Sequence, residues 1–277
     1  MKTALVQLNS SDDPGANLLQ TRDLIAQAAG EGARFVLTPE VTNCVSASRL
    51  HQSEVLQPED QDITLASLRE QAEELGIWLL IGSLALKTSD PDGRFCNRSF
   101  LISPRGDIKS RYDKIHMFDV QVSDTEIYHE SKGYRPGRHS VLSQVDDFFL
   151  GMTICYDLRF PHLYRGLAQA GAGVISVPSA FSPVTGAAHW EVLLRARAIE
   201  NGCYILAPAQ TGRHSAQAGR ERETHGNSLA IDPWGRVVGS AGTGTGIIIV
   251  DLHPAEVAQA RERIPSLTNG TEFVAPE

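Results

Sequence analysis

The stretch that decides the fold is Phe148-Phe-Leu-Gly-Met-Thr-Ile-Cys155-Tyr-Asp-Leu-Arg-Phe-Pro161. Large apolar side chains alternate with other residues over 148–154, which predicts a β-strand. Cys155 falls on the same side of this strand as Gly151 and Thr153, where small residues leave room. Proline suits the first turn of a helix, so Pro161 predicts that a helix follows at once. The stretch is therefore a strand–helix unit with a cysteine at the junction.

Strands and amphipathic helices alternate along the rest of the chain. The predicted strands are Thr3–Leu8, Arg34–Leu37, Ile77–Leu86, Gly173–Val177, Cys203–Ala207 and Gly246–Asp251, and the predicted helices are Pro14–Gly30, Ile63–Leu75 and His189–Ile199. Such alternation is typical of α/β folds, in which helices cover the faces of sheets. Because no Pro/Ser-rich linker divides the chain, we predict a single domain built in layers.

Two hairpins at distant places share one pattern. Asn97–Tyr112 contains Ser-Phe-Leu-Ile-Ser-Pro-Arg-Gly-Asp, and Asn227–Gly239 contains Ser-Leu-Ala-Ile-Asp-Pro-Trp-Gly-Arg. In each hairpin an apolar strand leads into an x-Pro-x-Gly turn, a polar residue and a second strand. The likeness indicates that the chain consists of two related halves packed as two sheets.

Composition excludes several classes of function. Of the 277 residues, 33 are acidic and 25 basic, and the net charge of −8 disfavours nucleic acid or an anionic membrane as partner. The longest apolar runs, Ile77–Gly82 and Gly246–Val250, fall far short of the ~20 residues that a bilayer span requires. The N-terminus lacks a signal-peptide core, and the four cysteines lie far apart without a C-x-x-C. We therefore predict a cytoplasmic protein of a reducing compartment.

Familiar cofactor motifs are absent from the sequence. The glycine-rich segments 171–173 and 242–246 precede strands, whereas a dinucleotide-binding loop follows a strand and opens a helix. The nine histidines are scattered, and no pair has metal-ligand spacing on an evident helix face. The sequence predicts neither a metal nor an organic cofactor.

Cys155 is the candidate nucleophile. The N–H groups and positive dipole end of the following helix would favour a thiolate and bind an oxyanion, although a buried inert cysteine is the alternative. A thiol also needs a base or a nearby cation, and Glu40 and Lys114 each close a predicted strand. Either could be only the solvated end of its strand. Neighbouring parallel strands present the same end to solvent, however, so the three residues can converge on one cleft.

The segments around these residues resemble the nitrilase superfamily of carbon–nitrogen hydrolases, whose signature is a Glu–Lys–Cys triad in this order. The matching motifs are Leu-Thr-Pro-Glu40, Tyr-Asp-Lys114-Ile-His and Ile-Cys155-Tyr-Asp-Leu-Arg-Phe-Pro, and Glu130 in Tyr-His-Glu-Ser-Lys-Gly matches an additional glutamate of the superfamily. The resemblance runs over residues 4 to about 265, which is nearly the whole chain.

The resemblance implies an α/β fold, a single-domain αββα sandwich of the nitrilase type. Residues 1–265 would form the carbon–nitrogen hydrolase domain, and residues 266–277 a C-terminal tail. Superfamily members pair two sandwiches into four layers, which implies a homodimer or larger homo-oligomer. We expect the helix faces that carry Tyr164, Leu167 and Trp190 to supply the interface.

The resemblance also implies a mechanism. Glu40 would take the proton of Cys155 as general base and then give a proton to the departing amine. Lys114 and the backbone N–H of Tyr156 would stabilise the oxyanion, and water activated by Glu40 would hydrolyse the resulting thioester. Glu130 would orient Lys114 or the substrate amide. Such an enzyme hydrolyses linear amides without metal or cofactor.

Within the superfamily, residues 178–181, 185–200 and 209–214 are similar to the amidases of deaminated glutathione. This likeness implies hydrolysis of deaminated glutathione to 2-oxoglutarate and cysteinylglycine. Ala187 stands where we expect a proline. The first alternative is an ω-amidase that acts on 2-oxoglutaramate, and a nitrile or carbamoyl hydrolase ranks below it. An alternative from another class is a catalytically idle binding protein on the same fold, which would gain nothing from keeping all four chemical residues.

The substrate carries carboxylates, so an acidic protein must present local arginines. Arg159 and Arg213 are the candidates, although Arg159 could instead pair with Asp157. A papain-like cysteine protease would need a histidine base. His162 lies about two helical turns beyond Cys155, and we expect it to face solvent.

Overall fold

The computed structural model describes residues 1–122 and 126–274. Its strands are β1 (Lys2–Gln7), β2 (Phe35–Leu37), β3 (Trp78–Leu86), β4 (Cys96–Ile102), β5 (Ile108–Asp113), β6 (Asp119–Gln121), β7 (Ile127–His129), β8 (Val141–Val145), β9 (Phe148–Met152), β10 (Val174–Ser176), β11 (Tyr204–Ala207), β12 (Thr211–His214), β13 (Arg222–His225), β14 (Leu229–Ile231), β15 (Val237–Ser240) and β16 (Gly246–Asp251). The helices are α1 (Pro14–Gly30), α2 (Arg49–Val55), α3 (Ile63–Leu75), α4 (Pro161–Gln169), α5 (Pro183–Asn201) and α6 (Pro254–Arg263), with short 3₁₀ turns at Glu130–Lys132 and Cys155–Arg159. None of these helices has the length and apolar character needed to cross a bilayer. The last three residues of the predicted tail, 275–277, lie outside the described residues.

Two six-stranded sheets dominate the part of the chain that the structure describes. Their strand orders are β16-β1-β2-β3-β4-β5 and β15-β14-β11-β10-β9-β8. In each sheet, three parallel strands have an antiparallel hairpin on one side and an antiparallel edge strand on the other. The two halves repeat one arrangement, which confirms the interpretation drawn from the two hairpins.

The sheets pack face to face, with helices outside both. Leu5 and Leu37 of the first sheet share one buried cluster with Leu150 of the second. Ala4 and Val6, whose side chains point to the other face of β1, pack instead with residues of α1 and α3. Helices α4 and α5 cover the outer face of the second sheet. The architecture is the expected αββα sandwich.

Several predicted elements differ from the observed ones at their ends. Helices α1 and α3 and strand β16 have the predicted bounds, but α5 begins at Pro183 rather than at residue 189. Strand β9 stops at Met152, and the 3₁₀ turn Cys155–Arg159 separates it from α4. Periodicity does not reveal this turn, because its polar and apolar residues fit either a strand or a helix end.

The prediction that Tyr164, Leu167 and Trp190 supply an interface between copies of the chain is wrong. Tyr164, Leu167 and Trp190 are only 0%, 3% and 1% exposed and belong to the core of the single chain. The polar atoms of the two aromatic side chains are also satisfied internally: Tyr164 Oη lies 2.8 Å from Thr153 Oγ1, and Trp190 Nε1 donates to Asn227 O at 2.7 Å. These helix faces are apolar because they cover their own sheet.

Candidate active site

Two carboxylates, a lysine and a cysteine meet where strands of both sheets end. Lys114 Nζ lies 2.9 Å from Glu40 Oε1 and 2.9 Å from each carboxylate oxygen of Glu130. The Glu40 carboxylate lies beside the Cys155 thiol, and its charge raises the pKa of that thiol. Glu40, Lys114 and Cys155 are 4%, 2% and 7% exposed, so the cluster is buried. The structure thus brings together the four residues that the sequence singled out.

The backbone around Glu40 is held in an unusual conformation. Val41 has a φ of +47°, which is rare for a β-branched residue and costs on the order of 1–3 kcal/mol. Its N–H donates to Ser83 Oγ at 2.8 Å. Gly82 passes so close that a Cβ there would lie 2.0 Å from the carbonyl oxygen of Thr38. Only glycine lets β3 approach the Glu40 segment in this way.

Donors from two other segments orient the Glu40 carboxylate, and a third donor holds its backbone. Asn97 Nδ2 donates to Glu40 Oε1 at 2.9 Å, and the Ala180 N–H donates to Oε2 at 2.8 Å. Gln210 Nε2 donates to the Glu40 backbone oxygen at 3.1 Å. Sequence reasoning missed Asn97, which it treated only as the start of a hairpin. Its Oδ1 is buried without a partner among the described residues, in a side chain that lines the cavity.

Lys114 directly follows β5 and is held by the backbone on both sides. Its N–H donates to Asn97 O at 3.0 Å, and its carbonyl accepts from the N–H of Gly137 at 2.7 Å. A Cβ at Gly137 would lie 2.1 Å from the carbonyl oxygen of Asp113, so a larger residue would push this strand end aside. Glu130 also accepts from the Phe118 N–H at 2.6 Å, which orients its carboxylate toward the lysine.

Cys155 opens the 3₁₀ turn with a left-handed backbone, at a φ of +48°. Asp157, fully buried, fastens this turn to the segment around Lys114. Its carboxylate accepts from Tyr112 Oη at 2.6 Å and from the His116 N–H at 3.0 Å, and it also contacts the His116 ring at 2.6 Å. The alternative in which Arg159 pairs with Asp157 is therefore wrong, because these groups occupy the carboxylate instead. The Asp157 N–H donates the first backbone hydrogen bond of the turn. The Tyr156 N–H comes one residue earlier, so it is not used by the hydrogen bonds of the turn.

Burial and neighbouring charges shift the pKa values of three groups at the site. Burial opposes the charge on Lys114, but Glu130 and Glu40 raise its pKa well above the ordinary value, so it is an ammonium. Burial also opposes the charge on Glu40, but Lys114 and its hydrogen bonds lower the pKa of that carboxyl. Burial and the Glu40 charge raise the pKa of the Cys155 thiol, and Lys114 does not offset them. Burial and Glu40 thus outweigh the helix end that was expected to favour a thiolate, and the raised pKa agrees with the expectation that Glu40 takes the proton of Cys155.

A cavity of about 370 Å³ leads from these residues to the surface. Aromatic and aliphatic side chains form much of its wall, including Phe118, Tyr128 and Phe181, and Tyr156 also lines it. Four cations line it as well, and sequence reasoning missed all of them: Arg49, Lys132, Arg220 and Arg222. The signal in the sequence is weak, because these residues come from three separate surface segments.

The two arginines expected to meet the substrate do not line this cavity. Arg213 is 76% exposed and pairs with Glu221 at 3.1 Å. Arg159 stacks over the rings of Tyr156 and Phe181, which line the cavity, but is not itself part of the wall. His162 is exposed, as expected.

The arrangement suits acyl transfer. A thiol beside a carboxylate is a nucleophile with its base, and a buried ammonium next to both can stabilise an oxyanion. Within residues 1–122 and 126–274, no group of three or more His, Cys, Asp or Glu side chains could hold a metal ion.

Comparison with known proteins gives a consistent result. Residues 2–262 match the family model described as carbon–nitrogen hydrolase. A relative from Yersinia enterocolitica, named deaminated glutathione amidase, is 40% identical over 265 residues, or 95% of this chain and 91% of the relative. The crystal structure of the C. elegans NitFhit protein has a TM-score of 0.87 at 31% identity and covers 97% of this chain, which spans only 64% of NitFhit. Saccharomyces cerevisiae Nit3, described as a member of branch 10 of the nitrilase superfamily, has a TM-score of 0.84 at 31% identity over 99% of this chain and 97% of Nit3.

The state of the thiol can be tested by titration. Replacing Glu40 with glutamine removes a charge that raises the pKa of Cys155, so Glu40→Gln should lower that pKa by about 1–3. The measurement is the ultraviolet absorbance of the thiolate against pH, taken as the difference between each protein and its Cys155→Ala counterpart to remove the other cysteines. Glu54→Gln, at an exposed position of α2, is the control and should leave the titration unchanged. A pKa that stays constant or rises in Glu40→Gln would contradict the assignment of a thiol held by Glu40.

Proposed function

The chain belongs to the carbon–nitrogen hydrolase family, and we propose that it hydrolyses deaminated glutathione to 2-oxoglutarate and cysteinylglycine. As a member of that family, it is an amidase that cleaves carbon–nitrogen bonds other than peptide bonds. The observation that carries the choice of substrate is the set of four cations around a cavity that ends at Cys155, in a protein of net charge −8. The name of the Yersinia enterocolitica relative supports the same substrate.

The first half-reaction forms a thioester. As Cys155 Sγ attacks the amide carbonyl carbon, its proton passes to the neighbouring carboxylate of Glu40. The Lys114 ammonium and the Tyr156 N–H stabilise the oxyanion, a contact typically worth about 3–4 kcal/mol for one donor. When the carbon–nitrogen bond breaks, Glu40 gives the proton to the departing amine of cysteinylglycine.

The second half-reaction regenerates the enzyme. Water gives a proton to Glu40 as its oxygen attacks the thioester carbonyl, and the same two donors stabilise the second oxyanion. The sulfur leaves and recovers its proton from Glu40, while the acid departs as 2-oxoglutarate. Glu130 does not exchange a proton: its two oxygens at 2.9 Å keep Lys114 charged and directed at the carbonyl.

Both carboxylates of deaminated glutathione suit the cavity. One belongs to the 2-oxo acid on the acyl side of the amide, and the other to the glycine of the leaving group. Charge-assisted hydrogen bonds from arginine would hold each of them. The competing substrate 2-oxoglutaramate lacks the second carboxylate and would leave part of the cationic wall unused.

The role of Cys155 is tested by removing its sulfur. Cys155→Ala should lower kcat at least about 10⁴-fold, since a nucleophile has no substitute in a covalent mechanism, and should leave folding nearly intact. Cys203→Ala, another buried cysteine that does not line the cavity, is the matched control and should remain active. Product release on deaminated glutathione is the readout, and trapping of a thioester by intact mass gives a second one. Activity of Cys155→Ala within about tenfold of wild type would exclude covalent catalysis by this residue.

The substrate is tested by comparing two amides in one assay. We expect a higher kcat/KM for deaminated glutathione, measured as cysteinylglycine release, than for 2-oxoglutaramate, measured as ammonia release. The physical reason is the extra carboxylate that the cationic wall can bind. A preference for 2-oxoglutaramate would make the protein an ω-amidase instead.

The protein is further proposed to act as a homodimer. Three side chains on one face of α5 remain exposed despite being apolar, namely Val184, Val192 and Ile199, at 56%, 68% and 50%. They replace the buried residues expected from the sequence as candidates for the interface. Light scattering should give twice the chain mass of 30.1 kDa, and Val192→Glu should shift the protein toward the monomer. A monomeric mass for wild type at micromolar concentration would remove the proposal.

A further inference from the structure

The inner end of the cavity carries one net negative charge. Glu40 and Glu130 both hydrogen-bond to Lys114, so two carboxylates and one ammonium leave a net charge of −1. A substrate carboxylate would be repelled there. Its binding group must therefore be one of the cations farther along the wall.

These cations differ in what they already contact. Arg49 is exposed and donates to the carbonyl oxygens of Lys132 and Gly93, so protein groups hold its guanidinium. Lys132 and Arg220 are also exposed. Arg222 is partly buried, and among residues 1–122 and 126–274 no acidic side chain pairs with it. Partial burial of a guanidinium that has no acidic partner is unfavourable unless a bound anion pairs with it.

The hairpin geometry directs Arg222 inward. Strands β12 and β13 are antiparallel, with His214 opposite Arg222 and Arg213 opposite Glu223. Facing residues lie on the same side of a hairpin, and successive residues lie on opposite sides. His214 is buried and contacts Thr224 Oγ1 at 2.7 Å, so Arg222 shares the inner side, whereas Arg213 is on the outer side.

The surroundings of Arg222 agree with this direction. Its positive charge opposes the rise that burial imposes on the pKa of two cavity-lining side chains, Tyr128 and Tyr134. Both tyrosines line the cavity, as Arg222 does. Arg222 is therefore a partly buried cation of the cavity wall, close enough to these tyrosines for its charge to act on them.

We propose that Arg222 is the subsite for the 2-oxo-acid carboxylate of the acyl half of the substrate. The inference rests on the proposed function and deepens it. The acyl half stays attached to Cys155 through both half-reactions, so it needs a partner inside the cavity, whereas the leaving dipeptide departs through the mouth. A planar guanidinium can bind a carboxylate with two parallel hydrogen bonds, which fixes the position of the chain as well as its charge.

Three amides separate the possibilities. Deaminated glutathione and 2-oxoglutaramate share the acyl half, and 4-oxopentanamide has the same carbon chain with a methyl group in place of the carboxylate. Arg222→Met removes the positive charge and keeps a side chain of similar size. Arg222→Lys keeps a positive charge but lacks the planar guanidinium that can donate two parallel hydrogen bonds. Arg213→Met changes the outer face of the same hairpin and is the control. Thermal unfolding of each variant checks that the hairpin stays folded.

For Arg222→Met we expect kcat/KM to fall about ten- to a hundredfold on both keto acids relative to 4-oxopentanamide, chiefly through KM. Arg222→Lys should recover part of the loss, and Arg213→Met should match wild type. An equal loss on 4-oxopentanamide would mean that Arg222 serves the fold. A loss on deaminated glutathione alone would mean that it binds the leaving dipeptide. Either result overturns the proposal, as does no loss at all.

A binding measurement keeps this test separate from the choice of substrate. Calorimetric titration of 2-oxoglutarate into the Cys155→Ala protein needs no turnover, and adding Arg222→Met should weaken binding about ten- to a hundredfold. If wild type fails to hydrolyse deaminated glutathione but this difference holds, the proposed substrate is wrong and the subsite stands. If 2-oxoglutarate binds equally well without Arg222, or does not bind the Cys155→Ala protein, the subsite is wrong.

Discussion

The rest of the site depends on a buried ammonium held between two carboxylates. Taking each of these ions out of water costs several kcal/mol, and their mutual hydrogen bonds at 2.9 Å, together with donors to both carboxylates, offset that cost. Removing Lys114 would leave two uncompensated carboxylates in the interior. Glu40, Lys114 and Glu130 come from three separate parts of the chain, so the charges are stable only when both the first sheet and the 3₁₀ turn at Glu130 are in position.

The surrounding backbone adopts unusual conformations and close approaches that hold these charged groups in place. Val41 and Cys155 both carry left-handed φ values next to the reacting groups, which is strain of the kind that functional sites store. Gly82 and Gly137 allow main-chain approaches that no side chain would permit, one beside Glu40 and one beside Lys114. Asp157 joins the two sheets, because its four hydrogen-bond contacts come from the Cys155 turn and from the segment around Lys114.

The catalytic end of the cavity and the rest of its wall carry opposite charges. The inner end keeps a thiol rather than a thiolate, because burial and Glu40 outweigh the lysine. This suits a nucleophile that gives its proton to a base already in contact with it. The outer wall is cationic although the whole chain is acidic, so the cavity attracts anionic amides while most of the surface repels them. Reaction type and substrate choice thus belong to different parts of the same cavity.

The sequence by itself determined what depends on local order. A short apolar run predicted β16, and period-3.6 patterns predicted α1 and α3, all with their observed bounds, while strand ends marked Glu40 and Lys114. Tertiary structure alone decided which side chains face the cavity. Arg213 and Arg222 look alike in sequence, but the pairing of β12 with β13 sends one outward and the other inward. Burial, face and protonation depend on neighbours distant in the chain, and a linear pattern does not contain them.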